Sequence, residues 1–159
     1  MDLPKRKNNR LKDYDYSSAG AYFITVCTEK RKCLLWSDVG ATCGRPSETA
    51  LSSYGKTVRK HIVKLSDTYE NVSVDKYVVM PNHIHLIIII LPDENGRPQV
   101  APTVSRAVKQ FKGAVTKEIG CSIWQKGFYD HVIRSEREYY SIVEYIRENV
   151  VKWDLDCYF

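Results

Sequence analysis

The sequence lacks the features that mark membrane proteins and secreted proteins. Its longest apolar run covers residues 86–91, which is the length of a strand. A helix that crosses a bilayer needs about 20 apolar residues. The N-terminus is basic and has no apolar segment of the kind that a secretory signal requires. We therefore expect a cytoplasmic protein that has no membrane partner.

The cysteines have an irregular pattern. The chain has five cysteines, and no two of them form a Cys-x-x-Cys pair. The odd number and the spacing argue against a disulfide scaffold and against a zinc ribbon. With 159 residues, of which 43% are hydrophobic, the chain is long enough to bury a core without disulfides. We expect a single domain over residues 1–159.

Acidic residues are fewer than basic ones, but the excess is small. Lys and Arg total 24 against 19 Asp and Glu, which gives a net charge of +5. This balance is compatible with a polyanionic partner and also with many other proteins. Several basic residues lie in an N-terminal arm over residues 1–15. The arm is either a solvated tail or a set of phosphate contacts.

A histidine pair interrupts the most apolar stretch of the chain. Residues 77–90 (YVVMPNHIHLIIII) are rich in β-branched side chains, which is typical of a strand buried on both faces. Alternate side chains of a strand share a face, so His83 and His85 project together. Two neighbouring imidazoles are either a hydrogen-bonded structural pair or two ligands of one metal ion.

Hydrophobic periodicity divides the remaining chain into strands and helices. Besides the histidine strand, strands are predicted at residues 21–28, 72–79 and 128–133. Apolar residues at helical spacing predict helices at residues 52–65, 104–119 and 136–149. Glycine and proline predict loops at residues 40–48 and 92–102. The order β-α-β-β-α-β-α predicts an α+β fold of the ferredoxin-like type, a βαββαβ antiparallel sheet with helices packed on it and a C-terminal tyrosine-bearing helix.

The last predicted helix carries two polar residues that share one face. Tyr145 and Asn149 are four residues apart and therefore lie one above the other. Tyr145 offers a phenol nucleophile, although a helical tyrosine is more often a core or rim residue. Asn149 offers a neutral oxygen ligand, although asparagine near a helix end is usually a cap. Spacing alone leaves both alternatives open.

Several segments resemble the REP-associated tyrosine transposases, relatives of the single-tyrosine insertion-sequence transposases in the HUH superfamily. The segments follow the family order and span nearly the whole chain. They are LKDYDY (residues 11–16), GAYFIT (20–25), VMPNHIH (79–85), WQKGFYDHVIR (124–134) and YIREN (145–149). Together they are far more specific than the His-x-His pattern alone.

The resemblance implies a metal-dependent nuclease site. It implies that His83 and His85 bind a divalent metal, that Asn149 completes the ligand set and that Tyr145 is the nucleophile. Mg²⁺ or Mn²⁺ is the expected ion, and two imidazoles with an amide would also accept Zn²⁺ or Ni²⁺. The implied reaction cleaves and rejoins single-stranded DNA through a 5′-phosphotyrosine bond. The family usually has proline after the asparagine, whereas this chain has Val150, so we expect its helix to run on or fray differently.

The resemblance also implies hairpin DNA with a short flanking guide sequence as the substrate. Basic residues predicted to contact DNA are Lys5, Arg6, Lys7, Arg10, Arg106, Lys109, Lys112 and Arg134. Aromatic residues that either stack on unpaired bases or belong to the core are Tyr14, Tyr16, Tyr22, Trp124 and Tyr129. A structural role is as compatible with the sequence for His131 as a role in the site.

Three functions remain open from the sequence. The first is a single-strand DNA endonuclease and strand transferase, which the set of histidines, tyrosine and asparagine favours. The second is a domesticated protein that binds DNA hairpins without turnover. The third is a replication or plasmid-mobilisation nuclease, for which the chain is short and lacks a helicase or primase segment. The protein is expected to be a monomer or a homodimer, because insertion-sequence relatives share the tyrosine helix between subunits whereas REP-associated relatives are regarded as monomers.

Overall fold

A computed structural model describes residues 18–37, 51–92 and 103–153. The described residues form four strands and three α-helices in the predicted order. The strands are β1 (Gly20–Cys27), β2 (Val72–Val79), β3 (His83–Ile90) and β4 (Tyr129–Ile133). The helices are α1 (Ser53–Thr68), α2 (Val104–Ile119) and α3 (Glu136–Asn149). The bounds of β2, α2 and α3 are those predicted from the sequence.

The four strands form one sheet in the order β2-β3-β1-β4. Each neighbouring pair is antiparallel. Because β3 lies between β1 and β2, the sheet has the split βαβ arrangement, and the prediction of a ferredoxin-like α+β fold is confirmed. The register pairs Thr25 with His85 and Cys27 with His83, so both histidines lie in a central strand.

One face of the sheet packs against α1 and α2. Buried side chains from β1, β3, α1 and α2 form a continuous cluster that includes Tyr22, Ile24, Val26, Ile84, Leu86, Ile88, Val58, Ile62, Val108, Phe111 and Val115. At the surface, Glu118 of α2 accepts hydrogen bonds from Lys60 at 2.8 Å and from His61 at 2.7 Å in α1. Part of the basic face of α1 is therefore neutralised by this contact.

Each α-helix begins at a Ser or Thr cap. The hydroxyl oxygens of Ser52, Thr103 and Ser135 each accept a hydrogen bond from the backbone N–H three residues on. Such caps satisfy an N–H group that the first helical turn leaves without a partner. The start of α3, which carries the tyrosine, is thereby fixed next to the end of β4.

The opposite face of the sheet is covered by α3. The side chain of Tyr139 donates a hydrogen bond to Asp75, which lies at a bulge in edge strand β2. After α3, Val150 keeps helical backbone angles (φ −63°, ψ −39°), and a turn leads to the buried Trp153. The prediction that the chain would run on past Asn149 is compatible with this geometry.

Small differences separate the predicted elements from the observed ones. Helix α1 runs to Thr68 and not to residue 65, because the exposed polar turn after its apolar stripe stays helical and Thr68 donates to the carbonyl of Lys64. Strand β4 begins at Tyr129, one residue later than predicted. The N-terminal arm, the predicted loop at residues 40–48, most of the loop at residues 92–102 and the chain after residue 153 lie outside the described residues. Within the described part of the chain, no helix combines the length and apolarity that crossing a membrane requires.

Candidate active site

His83 and His85 lie side by side on the face of β3 that α3 covers. Their Nε2 atoms are 3.1 Å apart, and their ring centroids are 4.6 Å apart. The two residues are only 3% and 4% exposed. The ring of Trp153 approaches His83 at a centroid distance of 6.3 Å. The strand thus holds both imidazoles on one face, as its two-residue period predicts.

A neighbouring polar side chain holds the other nitrogen of each imidazole. His83 Nδ1–H donates to Oδ1 of Asn82 at 2.6 Å, because an amide oxygen accepts only. His85 Nδ1 lies 2.8 Å from the hydroxyl oxygen of Thr25, its partner across the strand pair. A hydroxyl donates or accepts, so His85 is able to carry its proton on Nδ1. In that tautomer the lone pairs of both Nε2 atoms converge.

Burial keeps both imidazoles uncharged. Burial, together with a smaller effect of the positive charge of Arg31, lowers the pKa of His83 to about 4. Burial likewise lowers the pKa of His85 to about 3, with a second contribution from His83. Both rings are therefore neutral at pH 7, which is the form that binds a metal ion.

The lowered pKa values predict a loss of stability in mild acid. Between pH 6.5 and pH 5 the unfolded chain protonates both imidazoles while the folded protein does not, so the free energy of unfolding falls as pH falls. We expect a decrease of about 3 kcal/mol over this interval for the pair in EDTA. Urea unfolding at several pH values measures it. A His83→Gln/His85→Gln double variant should lose most of this slope, and an unchanged slope would contradict the assignment.

Tyr145 of α3 reaches the histidine pair within the same chain. Its hydroxyl oxygen is 3.5 Å from His85 Nε2, and the two ring centroids are 5.3 Å apart. The ring of Phe23 stacks on His85 at 5.2 Å and meets the edge of Tyr145 at 6.1 Å. Tyr145 is nevertheless 45% exposed. It lies over the buried imidazoles and also borders solvent.

Asn149 is buried one helical turn beyond Tyr145, at 6% exposure. Its amide Nδ2–H donates to the backbone carbonyl of Tyr145 at 3.2 Å. This hydrogen bond fixes the amide plane and occupies its nitrogen side, so that the oxygen is the atom suited to act as a ligand. The structure thus puts Asn149 on the face of α3 that carries the tyrosine, as predicted.

The residues present fit a divalent cation. The 3.1 Å between the two Nε2 atoms is close to the separation of about 3.0 Å between adjacent ligands of an octahedral ion with bonds of about 2.1 Å. Within residues 18–37, 51–92 and 103–153, no cluster of three or more His, Cys, Asp or Glu side chains is placed to hold a metal ion. Among these described residues, the amide oxygen of Asn149 is a neutral group suited to be a third ligand.

No family model matches the chain, but comparisons with individual proteins and solved structures find relatives. An uncharacterized protein of Haemophilus influenzae is 32% identical over an alignment of 171 positions, which covers 95% of this chain and 91% of the relative. A REP-associated tyrosine transposase of Escherichia coli K12 is 26% identical, over 86% of this chain and 70% of the relative. A solved structure of a REP-associated tyrosine transposase bound to a REP hairpin has a TM-score of 0.63 and 26% identity, covering 90% of this chain and 74% of that chain.

This chain is similar in sequence and in fold to the REP-associated tyrosine transposases. The resemblance seen in the sequence is thereby confirmed.

Three residues near the site were not singled out from the sequence. Thr25 and Asn82 hold the imidazoles, and strand register was needed to find Thr25. The positive charge of Arg31 helps to lower the pKa of His83. Arg31 and the preceding Lys30 both have left-handed backbone angles (φ 53° and 52°). Such angles are costly for residues other than glycine and often mark functional sites. The basic run at residues 30–32, directly after β1, was the available signal.

The basic residues predicted to contact DNA differ in their surroundings. Arg106, Lys109 and Arg134 are exposed, as a DNA contact requires. The ammonium of Lys112 instead donates to the carbonyls of Gln125 and Gly127, at 2.7 and 2.9 Å, and thus ties α2 to the loop before β4. Its contact with DNA stays a prediction. The residues predicted in the N-terminal arm, Lys5, Arg6, Lys7 and Arg10, lie outside the described residues.

Two of the predicted stacking aromatics belong to the core. Tyr22 is fully buried and donates to the carbonyl of Ser18, and Trp124 is 5% exposed and packs against Phe111. Neither face is accessible to a base, so the stacking interpretation was wrong for both. Tyr129 is 44% exposed and retains that possibility. Tyr14 and Tyr16 lie outside the described residues.

Proposed function

We propose that this protein is a metal-dependent endonuclease and strand transferase that acts on single-stranded DNA next to a hairpin. The observation that carries the proposal is the approach of the Tyr145 hydroxyl to a pair of neutral imidazoles whose Nε2 atoms converge. The bound hairpin in the related solved structure supports hairpin DNA as the substrate. His83, His85 and Asn149 are the proposed metal ligands and Tyr145 is the proposed nucleophile.

The residues of the chain divide the work of the reaction. When bound, Mg²⁺ or Mn²⁺ would supply charge neutralisation at the scissile phosphate. The phenolic oxygen of Tyr145 attacks phosphorus and gives its proton to solvent, while the P–O3′ bond breaks and the O3′ atom takes up a proton. The product is a 5′-phosphotyrosine bond. This bond retains the energy of the cleaved phosphodiester, so that another 3′-hydroxyl can be joined to the same phosphate. Thr25 and Asn82 orient the imidazoles throughout.

The reaction is proposed to use groups from one chain. Because the phenol and the imidazole pair already lie within 3.5 Å of each other, no second subunit is needed to complete the site. The tie between Tyr139 and Asp75 helps to hold α3 on its own sheet. Rotation of the exposed side chain of Tyr145 away from His85 would open the buried imidazole pair to solvent.

Positive charge near the site and elsewhere on the protein surface suits a DNA backbone. Arg31 lies near enough to His83 to affect its protonation, and we propose that it contacts the phosphate. Exposed Arg106, Lys109 and Arg134 are proposed to bind other phosphates of the hairpin or its flanks. The N-terminal arm is proposed to add further contacts.

A covalent-capture experiment tests the proposal. The protein is incubated with 5′- or 3′-labelled oligonucleotides that contain a hairpin and randomised single-stranded flanks, with Mn²⁺ or with EDTA. We expect a protein–DNA adduct that survives denaturation, carries the label on the 3′ side of the cut and forms only with metal. Retarded but uncut DNA would instead identify a hairpin-binding protein without turnover and would contradict the proposal.

A further inference from the structure

A cleft adjoins the tyrosine site on the side of β4. It has a volume of about 520 Å³ and lies between β4 and the N-terminal half of α3. Such a volume is within the usual range of small-molecule sites. Residues that line it include Phe23, Tyr129, His131, Glu138, Ser141 and Ile142. Neither the metal ligands nor the nucleophile are part of its lining.

The cleft shares a wall with the tyrosine site. Phe23 lines the cleft and also contacts the rings of both His85 and Tyr145. Ser141 lines it from a position one helical turn before Tyr145. An occupant of the cleft therefore lies beside the place where the tyrosine attacks.

We propose that this cleft binds the unpaired nucleobase next to the scissile phosphate. The inference rests on the proposed function for the identity of that phosphate. Tyr129 is 44% exposed and Phe23 is partly exposed, so both offer ring surface on which a base can stack. Stacking on aromatic side chains is the usual way in which proteins hold unpaired bases.

The polar rim of the cleft suits the edge of a base. The carboxylate of Glu138 accepts a hydrogen bond from His131 Nε2 at 2.5 Å and another from the backbone N–H of Arg134 at 2.8 Å. These bonds fix the carboxylate, and each of its oxygens retains a second lone pair for an N–H group of a base. The negative charge disfavours a bare anion, although Arg137 also lines the cleft. The test must therefore separate a base from a phosphate.

Nucleotide titration tests the cleft without metal and without cleavage. The four 5′-deoxynucleoside monophosphates and inorganic phosphate are added separately to the full chain, and amide and aromatic NMR shifts are followed. We expect saturable shifts at Tyr129, His131 and Ser141 with nucleotides and none with phosphate. Ser141→Phe, which fills the cleft from an exposed position, should weaken nucleotide binding at least about tenfold. Ser141→Ala, which leaves it open, and Tyr140→Ala, an exposed tyrosine outside the cleft, should change it less than about twofold.

The outcomes separate the cleft from the nuclease. Equal shifts with phosphate, or nucleotide binding unchanged in Ser141→Phe, would overturn the inference. If nucleotides bind in the cleft but the protein never cleaves DNA, the cleft is supported as a nucleotide site and the proposed function is contradicted. If the protein cleaves DNA but nucleotides cause no shifts at the cleft, only the inference about the cleft is contradicted.

An abasic site tests which nucleotide occupies the cleft. Once the adduct assay has mapped the cleaved bond, an abasic site is introduced on either side of it. At one of the two positions, the abasic site should lower the adduct yield of the wild type and of Ser141→Ala relative to the intact DNA. The yield of Ser141→Phe should be the same with the abasic DNA as with the intact DNA. Equal effects in all three proteins at both positions would show that neither neighbouring base occupies the cleft.

Discussion

Replacing Tyr145 with phenylalanine should lower the yield of covalent protein–DNA adduct by at least about 10³-fold. The substitution removes the phenolic oxygen but retains the ring that contacts His85 and Phe23. The fold should therefore be unchanged, and the affinity for the hairpin should stay within about twofold of the wild type, because neither depends on that oxygen. Denaturing electrophoresis of labelled hairpin DNA measures the adduct, and gel retardation measures the affinity.

Tyr140→Phe is the matched control for this prediction. Tyr140 lies on the same helix, is 60% exposed and is five residues before Tyr145. The control should form adduct at the wild-type rate. Adduct formation by the Tyr145→Phe variant, or its loss in the Tyr140→Phe variant, would identify a different nucleophile.

Replacing His85 with glutamine should weaken Mn²⁺ binding by more than about 100-fold and abolish metal-dependent adduct formation. The imidazole supplies one of the two converging Nε2 lone pairs, and the glutamine amide is a weaker ligand of similar size. Isothermal titration calorimetry with Mn²⁺ at pH 7.5 measures the binding. Wild-type affinity in the variant would contradict the ligand assignment.

Two controls distinguish lost ligation from lost folding. His61→Gln changes a histidine that pairs with Glu118 between α1 and α2, away from the proposed ligands, and should retain full Mn²⁺ affinity. Thermal unfolding in EDTA at pH 5 should show that His85→Gln is at least as stable as the wild type. The variant lacks an imidazole that the unfolded chain protonates at this pH and the folded protein does not.

The sequence was sufficient to predict the fold because its local signals agree with one another. The apolar stripe of α2, its Thr103 cap and the glycine after it fix one helix without tertiary information. The two-residue period of β3 puts His83 and His85 on the same face of the strand. The four-residue spacing in α3 puts Tyr145 and Asn149 on the same face of that helix. The membership of these residues in one site came from the family resemblance.

The remaining features of the site depend on tertiary contacts that local patterns do not specify. Thr25 meets His85 because of the β1–β3 register, which no local pattern near either residue reveals. Tyr22 and Trp124 are core residues, which the sequence favoured over base stacking but which only their burial in the fold decides. The cleft near Tyr129 lies between β4 and the N-terminal half of α3, and the local sequence of neither element specifies how the two are placed.

The central claim is that one chain supplies both the nucleophile and the metal ligands of a single site. Mixing the Tyr145→Phe variant with a His83→Gln/His85→Gln double variant tests it most directly, because each protein then retains one half of the site. We expect the mixture to form no adduct on hairpin DNA with Mn²⁺, as each variant alone forms none. Adduct carried by the double variant only in the mixture would show that the tyrosine serves the metal site of a partner chain and would contradict the claim.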